Sequence, residues 1–454
     1  MSTLPSVNLG SLLSALGNSG TGIDVSSAVS QILQTEAIPQ QQWQAQQATL
    51  QGQTSAINSL ESLVSTLQTS LQGLGDPGGT ASSMSATSSN TAIVTATAAP
   101  GTATGNHVVV VNNVATTGAW YSDSVANSTT ALAAGSFDIQ VGANAPVTIT
   151  VGSGVNTLSD LATAINGQHL GVTASVINDS TGSRLALVST ASGTANDFTV
   201  SNDTSVGFTQ AVQGKDASLT VDGIPISSAS NSVTGAVNGL TLNLVSGSAN
   251  TEVNVAVAPD SDQISQAVSS FVSAYNAVIK NVNSQFAFDQ TSNTAGTLAG
   301  DSTVRMLQDA LLGSGSYSST GGTISTLGQL GITMNNDGTL TLDNSALNSA
   351  IQNNFSAVQN FFQGTAANGF AATLNSQLSS FTDPIEGAFT IELQSISSEN
   401  SDLQSQIDDF QTYLNSEQTR LTNEYNQIDA TLQQLPILEK QVAAELGQNT
   451  SGNS

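Results

Sequence analysis

The side chains best suited to acid–base or metal chemistry are few and far apart. The chain has 454 residues, two histidines (His107 and His169) and no cysteine. A catalytic base or metal ligand needs partners, and neither histidine has a carboxylate motif nearby in the sequence. We interpret both as ordinary strand and loop residues. Without cysteine the chain can form neither a disulfide framework nor a thiolate metal site.

The carboxylates and serines also lack the spacing that chemistry requires. Asp24, Asp222 and Asp337 lie close to glycines, but no twelve-residue calcium-loop spacing ends in a carboxylate, so turns explain them better. Asp408 and Asp409 are adjacent and point to different faces of a predicted helix. No G-x-S-x-G motif lies between a strand and a helix. The sequence therefore predicts no catalytic site, no metal and no cofactor.

Charge narrows the classes of partner. The chain has six Lys and Arg residues and 32 Asp and Glu residues, which gives a net charge of −26. The cations are scattered singly along the sequence. Nucleic acid and anionic membranes require clustered cations, so both are disfavoured. No apolar run is long enough to span a bilayer. Residues 1–19 lack a charged n-region and a continuous apolar stretch, so we expect export without a cleaved signal peptide.

A short amphipathic helix is predicted near the N-terminus, capped by Asp24 and interrupted at Pro39. Its apolar face is one stripe of four residues: Val25, Val29, Ile32 and Leu33. A helix this short is marginal alone, so we expect it to be disordered until these side chains dock into an assembly.

Longer helices with a seven-residue apolar repeat are predicted at both ends of the chain. The N-terminal repeat is Trp43, Leu50, Ile57, Val64 and Leu71, and the C-terminal repeat is Ile407, Leu414, Leu421, Ile428 and Leu435. Each repeat requires a partner helix, so we expect the two to pair with each other. Contact with a separate protein subunit, either another copy or a different protein, is the alternative, and we favour the intramolecular core. Pro436 is expected to kink or end the second helix.

Between the end helices the pattern is that of β-structure. Alternating and β-branched runs punctuated by turn residues extend from Met84 to Val257, with one helical insert at Thr157 to Asn166. Asp222-Gly223 predicts a hairpin. Trp120 and Tyr121 lie in a predicted β loop, and the sequence is compatible with either a core or an exposed position for them. The predicted fold is α+β and multidomain, with a coiled-coil or helical-bundle stalk and central antiparallel, sandwich-like head domains.

Several segments, in order, resemble the family of bacterial flagellar filament cap proteins, also called hook-associated protein 2. These segments are Gly20-Thr21-Gly22-Ile23-Asp24-Val25, the Ile165-Asn166 block from Thr157, Gly239 to Leu244, Gly300 to Arg305, and Leu330 to Leu340. The block ending in Ile165-Asn166 is similar to a module found in flagellins and cap proteins. In order and spacing the resemblance extends from about Ser19 to Leu435, which is nearly the whole chain.

The resemblance and the patterns together divide the chain into seven parts. These are a flexible N-terminal leg with the export region (1–40), a stalk helix (41–76), a head domain in two parts (77–134 and 215–259), an inserted β domain with the Ile-Asn motif (135–214), a helical base (260–435) and a flexible C-terminal leg (436–454).

The resemblance implies a homo-oligomeric ring at the filament tip that retains exported flagellin and promotes its folding. Its implied partners are further copies of the chain, flagellin, the hook–filament junction proteins and an export chaperone, outside the cell after export by the flagellar type III pathway. The alternatives are a flagellin or junction protein, or a surface adhesin whose β head binds glycans.

Overall fold

The computed structural model describes residues 24–290, 294–320, 322–364 and 368–449. Its helices are α1 Val25–Glu36, α2 Ile38–Gly75, α3 Leu158–Gly167, α4 Ser261–Phe286, α5 Ser302–Ser314, α6 Asn344–Gln363, α7 Phe370–Thr382 and α8 Ala388–Asn449. Among these residues, no helix combines the length and the apolar character needed to cross a bilayer. The α+β prediction, with end helices around antiparallel sheets, is confirmed.

The helical domain forms around the C-terminal half of α2. Leu60, Val64, Leu67, Leu71 and Leu74 are fully buried and belong to one core with α4 and α7. The apolar stripe of α4 lies in the same core, and all of its members are buried: Ile264, Val268, Phe271, Val272, Tyr275, Val278, Ile279 and Val282.

Helix α6 joins two shorter segments, which the sequence pattern also separates. Asn354 has non-helical backbone angles (φ −142°, ψ 41°) and divides residues 344–353 from residues 355–363. Phe355 follows this break and packs against both the helical core and the neighbouring β core. The break thus places one aromatic side chain at the junction of two domains.

The first β domain consists of two antiparallel sheets around one core. The five-stranded sheet has the order β1-β15-β3-β11-β12, and the three-stranded sheet has the order β13-β14-β2. The strands are β1 Met84–Ser88, β2 Val94–Ala98, β3 Gly105–Asn113, β11 Ala217–Val221, β12 Ile224–Ser228, β13 Ser232–Val237, β14 Leu240–Leu244 and β15 Val253–Pro259. Asp222 and Gly223 both have positive φ (52° and 80°), as a type I′ turn requires, so the predicted hairpin is confirmed.

The second β domain is inserted between β3 and β11. Its four-stranded sheet has the order β10-β4-β8-β7, and its three-stranded sheet has the order β6-β5-β9. The strands are β4 Ala119–Ser122, β5 Gly135–Val141, β6 Val147–Val151, β7 Val172–Asp179, β8 Gly182–Ser189, β9 Phe198–Ser201 and β10 Phe208–Val212. Helix α3 completes the core through Leu158, Leu161 and Ile165.

The Ile-Asn motif links α3 to the strand that follows it. Ile165 is fully buried, and the Asn166 side chain makes two hydrogen bonds with the backbone of Ala174. Its Nδ2 donates to the Ala174 carbonyl (2.9 Å), and its Oδ1 accepts from the Ala174 amide (2.8 Å). The motif therefore fixes the end of α3 against β7.

Two short hairpins complete the helical domain. They are formed by β16 Phe288–Asp289 with β17 Thr294–Ala295, and by β18 Ile332–Met334 with β19 Leu340–Leu342. The second hairpin turns at Asn335 to Thr339, as the sequence predicts, and Gly338 has a φ of 82°.

The predicted boundary between the head domain and the insertion, at residues 134 and 135, is wrong. Strand β4 pairs with β8 and β10, and the Trp120 indole donates to the carbonyl of Phe198 (2.9 Å) in the second β domain. The chain enters this domain near Thr116, which pairs with Lys215 where the chain leaves it. Because β4 has only four residues, its sequence does not indicate which sheet it joins.

Two predictions for the chain ends also differ from the structure. Pro436 does not end α8, which continues to Asn449, so residues 436–449 extend the helix instead of forming a separate leg. Proline lacks the amide hydrogen that would bond the carbonyl of Leu432, but the flanking turns remain helical. Residues 24–36 of the predicted flexible leg are also structured, whereas residues 1–23 lie outside the described residues.

Candidate functional site

The two ends of the chain meet where α2 and α8 run antiparallel. The Trp43 and Phe410 rings pack edge to face, with centroids 5.4 Å apart. The side chains of Gln40 and Gln411 form a hydrogen bond of 2.9 Å nearby. Further along α2, the Gln46 side chain donates a hydrogen bond to Glu399 (2.8 Å). Neutral amides therefore make much of the polar contact between these helices.

The structure buries most of the predicted seven-residue repeats. The buried members are Leu50, Ile57, Val64, Leu71, Ile407, Leu414 and Leu421. Trp43 is half-buried against Phe410. Ile428 and Leu435 are instead 41% and 52% exposed, which differs from the predicted seam. They follow Leu421, which is the last buried member of the repeat.

The two end helices pair with each other as predicted, but over only part of α2. Helix α8 begins at Ala388 and meets only the N-terminal half of α2, with Leu50 and Thr54 near Leu393 and Ile396. The C-terminal half of α2 packs against α4 and α7, as the Gln68–Ser379 hydrogen bond illustrates. Two other helices thus occupy the face that the sequence assigns to α8.

Helix α1 packs against α8 within the same chain. Asp24 caps it by accepting a hydrogen bond from the Ser27 amide (3.1 Å). Val29 is buried, whereas Val25, Ile32 and Leu33 are half-buried. In the structure α8 provides the apolar surface that a short helix needs. Docking of the α1 side chains into an assembly stays a prediction.

C-terminal to Leu421, helix α8 carries an exposed apolar stripe that we call the α8 stripe. It consists of Ile428, Leu432, Leu435, Leu438 and Val442, which are 40% to 53% exposed. Their spacing of four, three, three and four residues places them on one face of the helix. Ile437, 60% exposed, points to the opposite face. The α8 stripe continues the line of Leu414 and Leu421 without a described partner.

Helix α8 is acidic, with ten Asp and Glu residues against two cations, Arg420 and Lys440. Arg420 bonds Glu417 and also donates to Glu424 (2.7 Å). The hydrogen bond from Arg420 lowers the pKa of the Glu417 carboxyl. Exposed pairs of this kind contribute little to stability, so α8 depends mainly on its apolar face.

A carboxyl pair that no sequence pattern indicates lies where α8 begins. Asp301 caps α5 by accepting from the Val304 amide (3.0 Å), and it shares a hydrogen bond with Glu392 of α8. Burial, and then this contact with Asp301, raises the pKa of Glu392 to about 7. The two residues are far apart in sequence, so only the fold brings them together.

The histidines and carboxylates considered as candidates for chemistry instead stabilise turns and strands or lie exposed on a helix. His107 Nδ1 lies 2.8 Å from Asp222, and this hydrogen bond lowers the pKa of the Asp222 carboxyl. His169 lies in the turn after α3, in the other β domain. Asp337 accepts from Thr339 in its turn, and Asp408 and Asp409 are exposed. In the part of the chain that the structure describes, no three His, Cys, Asp or Glu residues are grouped as a metal site would require.

The chain matches three family descriptions in order. Residues 21–118 match "Flagellar hook-associated protein 2 N-terminus", residues 136–191 match "Flagellin hook IN motif", and residues 214–436 match "Flagellar hook-associated protein 2 C-terminus".

Curated relatives and a solved structure agree with this match. The B-type flagellar hook-associated protein 2 of Pseudomonas aeruginosa PAO1 is 31% identical over 360 residues, covering 72% of this chain and 75% of the relative. The flagellar hook-associated protein 2 of Escherichia coli K12 is 28% identical over 403 residues, covering 81% and 84%. A crystal structure of the D1–D2–D3 domains of the Escherichia coli flagellar cap protein has a TM-score of 0.63 at 28% identity, covering 75% of this chain and 99% of that one.

Proposed function

The chain belongs to the flagellar hook-associated protein 2 family, a family of flagellar filament cap proteins, and we propose that copies of it form a ring at the filament tip. The ring retains flagellin subunits as they emerge and promotes their folding and polymerisation. Its action is structural, through docking and release, with no catalytic step.

The α8 stripe is the observation that carries this proposal. Five apolar side chains on one helical face are 40% to 53% exposed at the far end of a helix of 62 residues. Exposed apolar surface arranged in this way marks a protein contact, and a single helical face binds reversibly. A helical face of this kind can dock on the filament, detach and dock again as each subunit is added.

The partners and location follow from the family. We propose contacts with flagellin and with the hook–filament junction proteins, and the match to the flagellin hook IN motif supports a relationship to axial flagellar proteins. Export through the flagellar type III pathway with a dedicated chaperone, without a cleaved signal peptide, would bring the chain outside the cell.

Complementation of a gene deletion tests the function. We expect the deletion strain to make short or missing filaments and to release flagellin into the medium, and the wild-type gene to reverse both. The Leu435→Glu/Val442→Glu double variant places two carboxylates on the α8 stripe, where each removes apolar contact area. We expect it to leave flagellin release at least about tenfold above wild type.

A matched control separates docking from general effects of charge. Ile437→Glu/Ala444→Glu adds the same charge, at the same spacing, to the opposite face of α8, and should restore filaments. The amount of each variant in the medium is measured, so that an export defect is recognised. Full filaments with Leu435→Glu/Val442→Glu would contradict docking by the α8 stripe. Normal filaments with lost surface attachment in the deletion strain would favour an adhesin instead.

A further inference from the structure

One face of the four-stranded sheet in the second β domain is open to solvent. The other face packs on the domain core through Trp120, Leu185 and Leu187. Strand pairing places Ala119 beside Val188 and Val212, and it places Tyr121 beside Ala186 and Thr209. These side chains share one side of the sheet, which we call the open face, because directly paired residues point the same way.

The open face has the composition of a protein contact. Tyr121, Val188, Val212 and Ile177 are 38%, 37%, 44% and 54% exposed. Among the strand residues that point to this side, Asp179 at the end of β7 is the one carboxylate, and it is paired with Arg184. Aromatic and Arg side chains with few free charges are typical of the centre of protein interfaces, whereas ordinary solvated surfaces are richer in charge.

Arg184 is held in place before any partner arrives. Its Nε donates to Asp179 (3.1 Å), and its Nη1 donates to the carbonyl of Ser122 (3.0 Å). Its guanidinium carbon lies 5.6 Å from the centre of the Tyr121 ring. Because these contacts already restrict the side chain, binding at this point costs little additional conformational entropy.

We propose that the open face is the surface through which one copy of the chain contacts the next copy in the ring, an inference that rests on the proposed function. Each chain carries a net charge of −26, so two copies repel each other wherever carboxylates face each other. A surface whose strand residues include no unpaired carboxylate is where such copies can approach closely.

The size of the open face indicates how the copies are arranged. Four strands at about 4.8 Å spacing and five residues at about 3.4 Å rise give a footprint of roughly 320 Å². A stable pair of proteins needs roughly 800 Å² per partner, so this contact alone would not hold a dimer. Contact of the open face with a different surface of the neighbour gives every copy two contacts and lets the ring close.

The test measures self-association of the purified full-length chain. Val188→Glu/Val212→Glu places two carboxylates on the open face, and we expect the association constant from sedimentation velocity to fall at least about tenfold. Ile224→Glu/Val245→Glu is the control, because it adds the same charge at exposed apolar residues of the first β domain. Thermal melting checks that both variants fold as the wild type does.

Each outcome decides a separate point. Loss of association in the open-face variant alone supports the inference, whereas unchanged association, or equal loss in the control, overturns it. If the open-face variant still associates but no longer captures flagellin, the face contacts flagellin and the inference is wrong. If it becomes monomeric and yet restores filaments to the deletion strain, the open face is a self-contact but the ring is not needed for capping. A wild-type chain that stays monomeric throughout overturns this inference and leaves capping to the deletion experiment.

Discussion

At the scale of single residues, polar side chains in this protein mostly position backbone and neighbouring helices. Gln40 and Gln46 link the end helices, and His107 and Asp222 tie a hairpin to its neighbouring strand. Amides keep their hydrogen-bonding capacity at every physiological pH, so the Gln40–Gln411 contact does not titrate. Glu392 beside Asp301 is different, because its protonation state is linked to folding.

The raised pKa of Glu392 predicts a pH-dependent stability. The folded chain keeps a proton on Glu392 up to a pKa of about 7, whereas the ordinary value is 4.5. Between these values the folded state holds more protons, so this residue makes the free energy of unfolding decrease as pH rises, until it levels off above pH 7. Glu392→Gln should raise that free energy by on the order of 1 kcal/mol at about pH 8 and have little effect at about pH 5, with partial exposure taken into account.

Urea unfolding of the full chain at both pH values measures this difference. Glu439→Gln, on the exposed end of the same helix, removes the same charge away from any carboxyl partner and serves as the control. An equal effect of Glu392→Gln at both pH values, or a larger one at the lower pH, would show that the Asp301 pair does not act in this way.

At the scale of elements, the fold depends on which helix or strand meets which. The seven-residue repeats predict the end helices correctly, but not that α4 and α7 take the C-terminal half of α2. The local pattern around α3 is more informative, because the Asn166 side chain bonds to β7 only eight residues later. Short-range units of this kind can be identified from sequence.

Removal of the Asn166 amide should weaken the second β domain. Asn166→Ala leaves the amide and carbonyl of Ala174 without these partners, and we expect a loss of about 1 kcal/mol in the unfolding free energy of this domain. Fluorescence of Trp120 in a Trp43→Phe background reports on that domain, since the chain has two tryptophans. Gln168→Ala, an exposed change just beyond the same helix, should stay within about 0.5 kcal/mol of wild type. Equal losses for both variants would assign the effect to α3 itself.

The parts of the fold that sequence could not predict share one cause. Apolar periodicity predicts that repeat positions such as Val64 and Leu71 are buried, as they are in the structure, but it does not identify the partner helix. Periodicity also does not show where along α8 the partner surface ends, and Ile428 and Leu435 are exposed in the structure. The Trp120–Tyr121 pair, undecided from sequence, has one residue against the core and one on the open face.

At the scale of the whole molecule, the chain leaves the helical domain, builds one β domain, inserts a second and returns. Each domain has its own apolar core, and the described residues carry four ion pairs, all of them between groups near in sequence or within one domain. The folded state is therefore stabilised mainly by apolar packing. The large negative charge acts mainly as repulsion between molecules.

Self-association should accordingly strengthen with salt. Raising NaCl from about 50 mM to about 500 mM shortens the range of repulsion between copies of charge −26, and we expect the association constant to rise several-fold. Sedimentation velocity at the two salt concentrations measures it. A neutral osmolyte at matched osmolality is the control. Weaker association in high salt would mean that opposite charges hold the copies together.

The unbroken course of α2 has a mechanical consequence. Its 38 residues span about 57 Å, with one end beside the middle of α8 and the other anchored in the core next to the first β domain. A rigid rod of this length tilts by about 5° when the end beside α8 is displaced sideways by about 5 Å. Under the proposed function, we expect a newly inserted subunit that displaces this end of α2 to turn the domains at the other end.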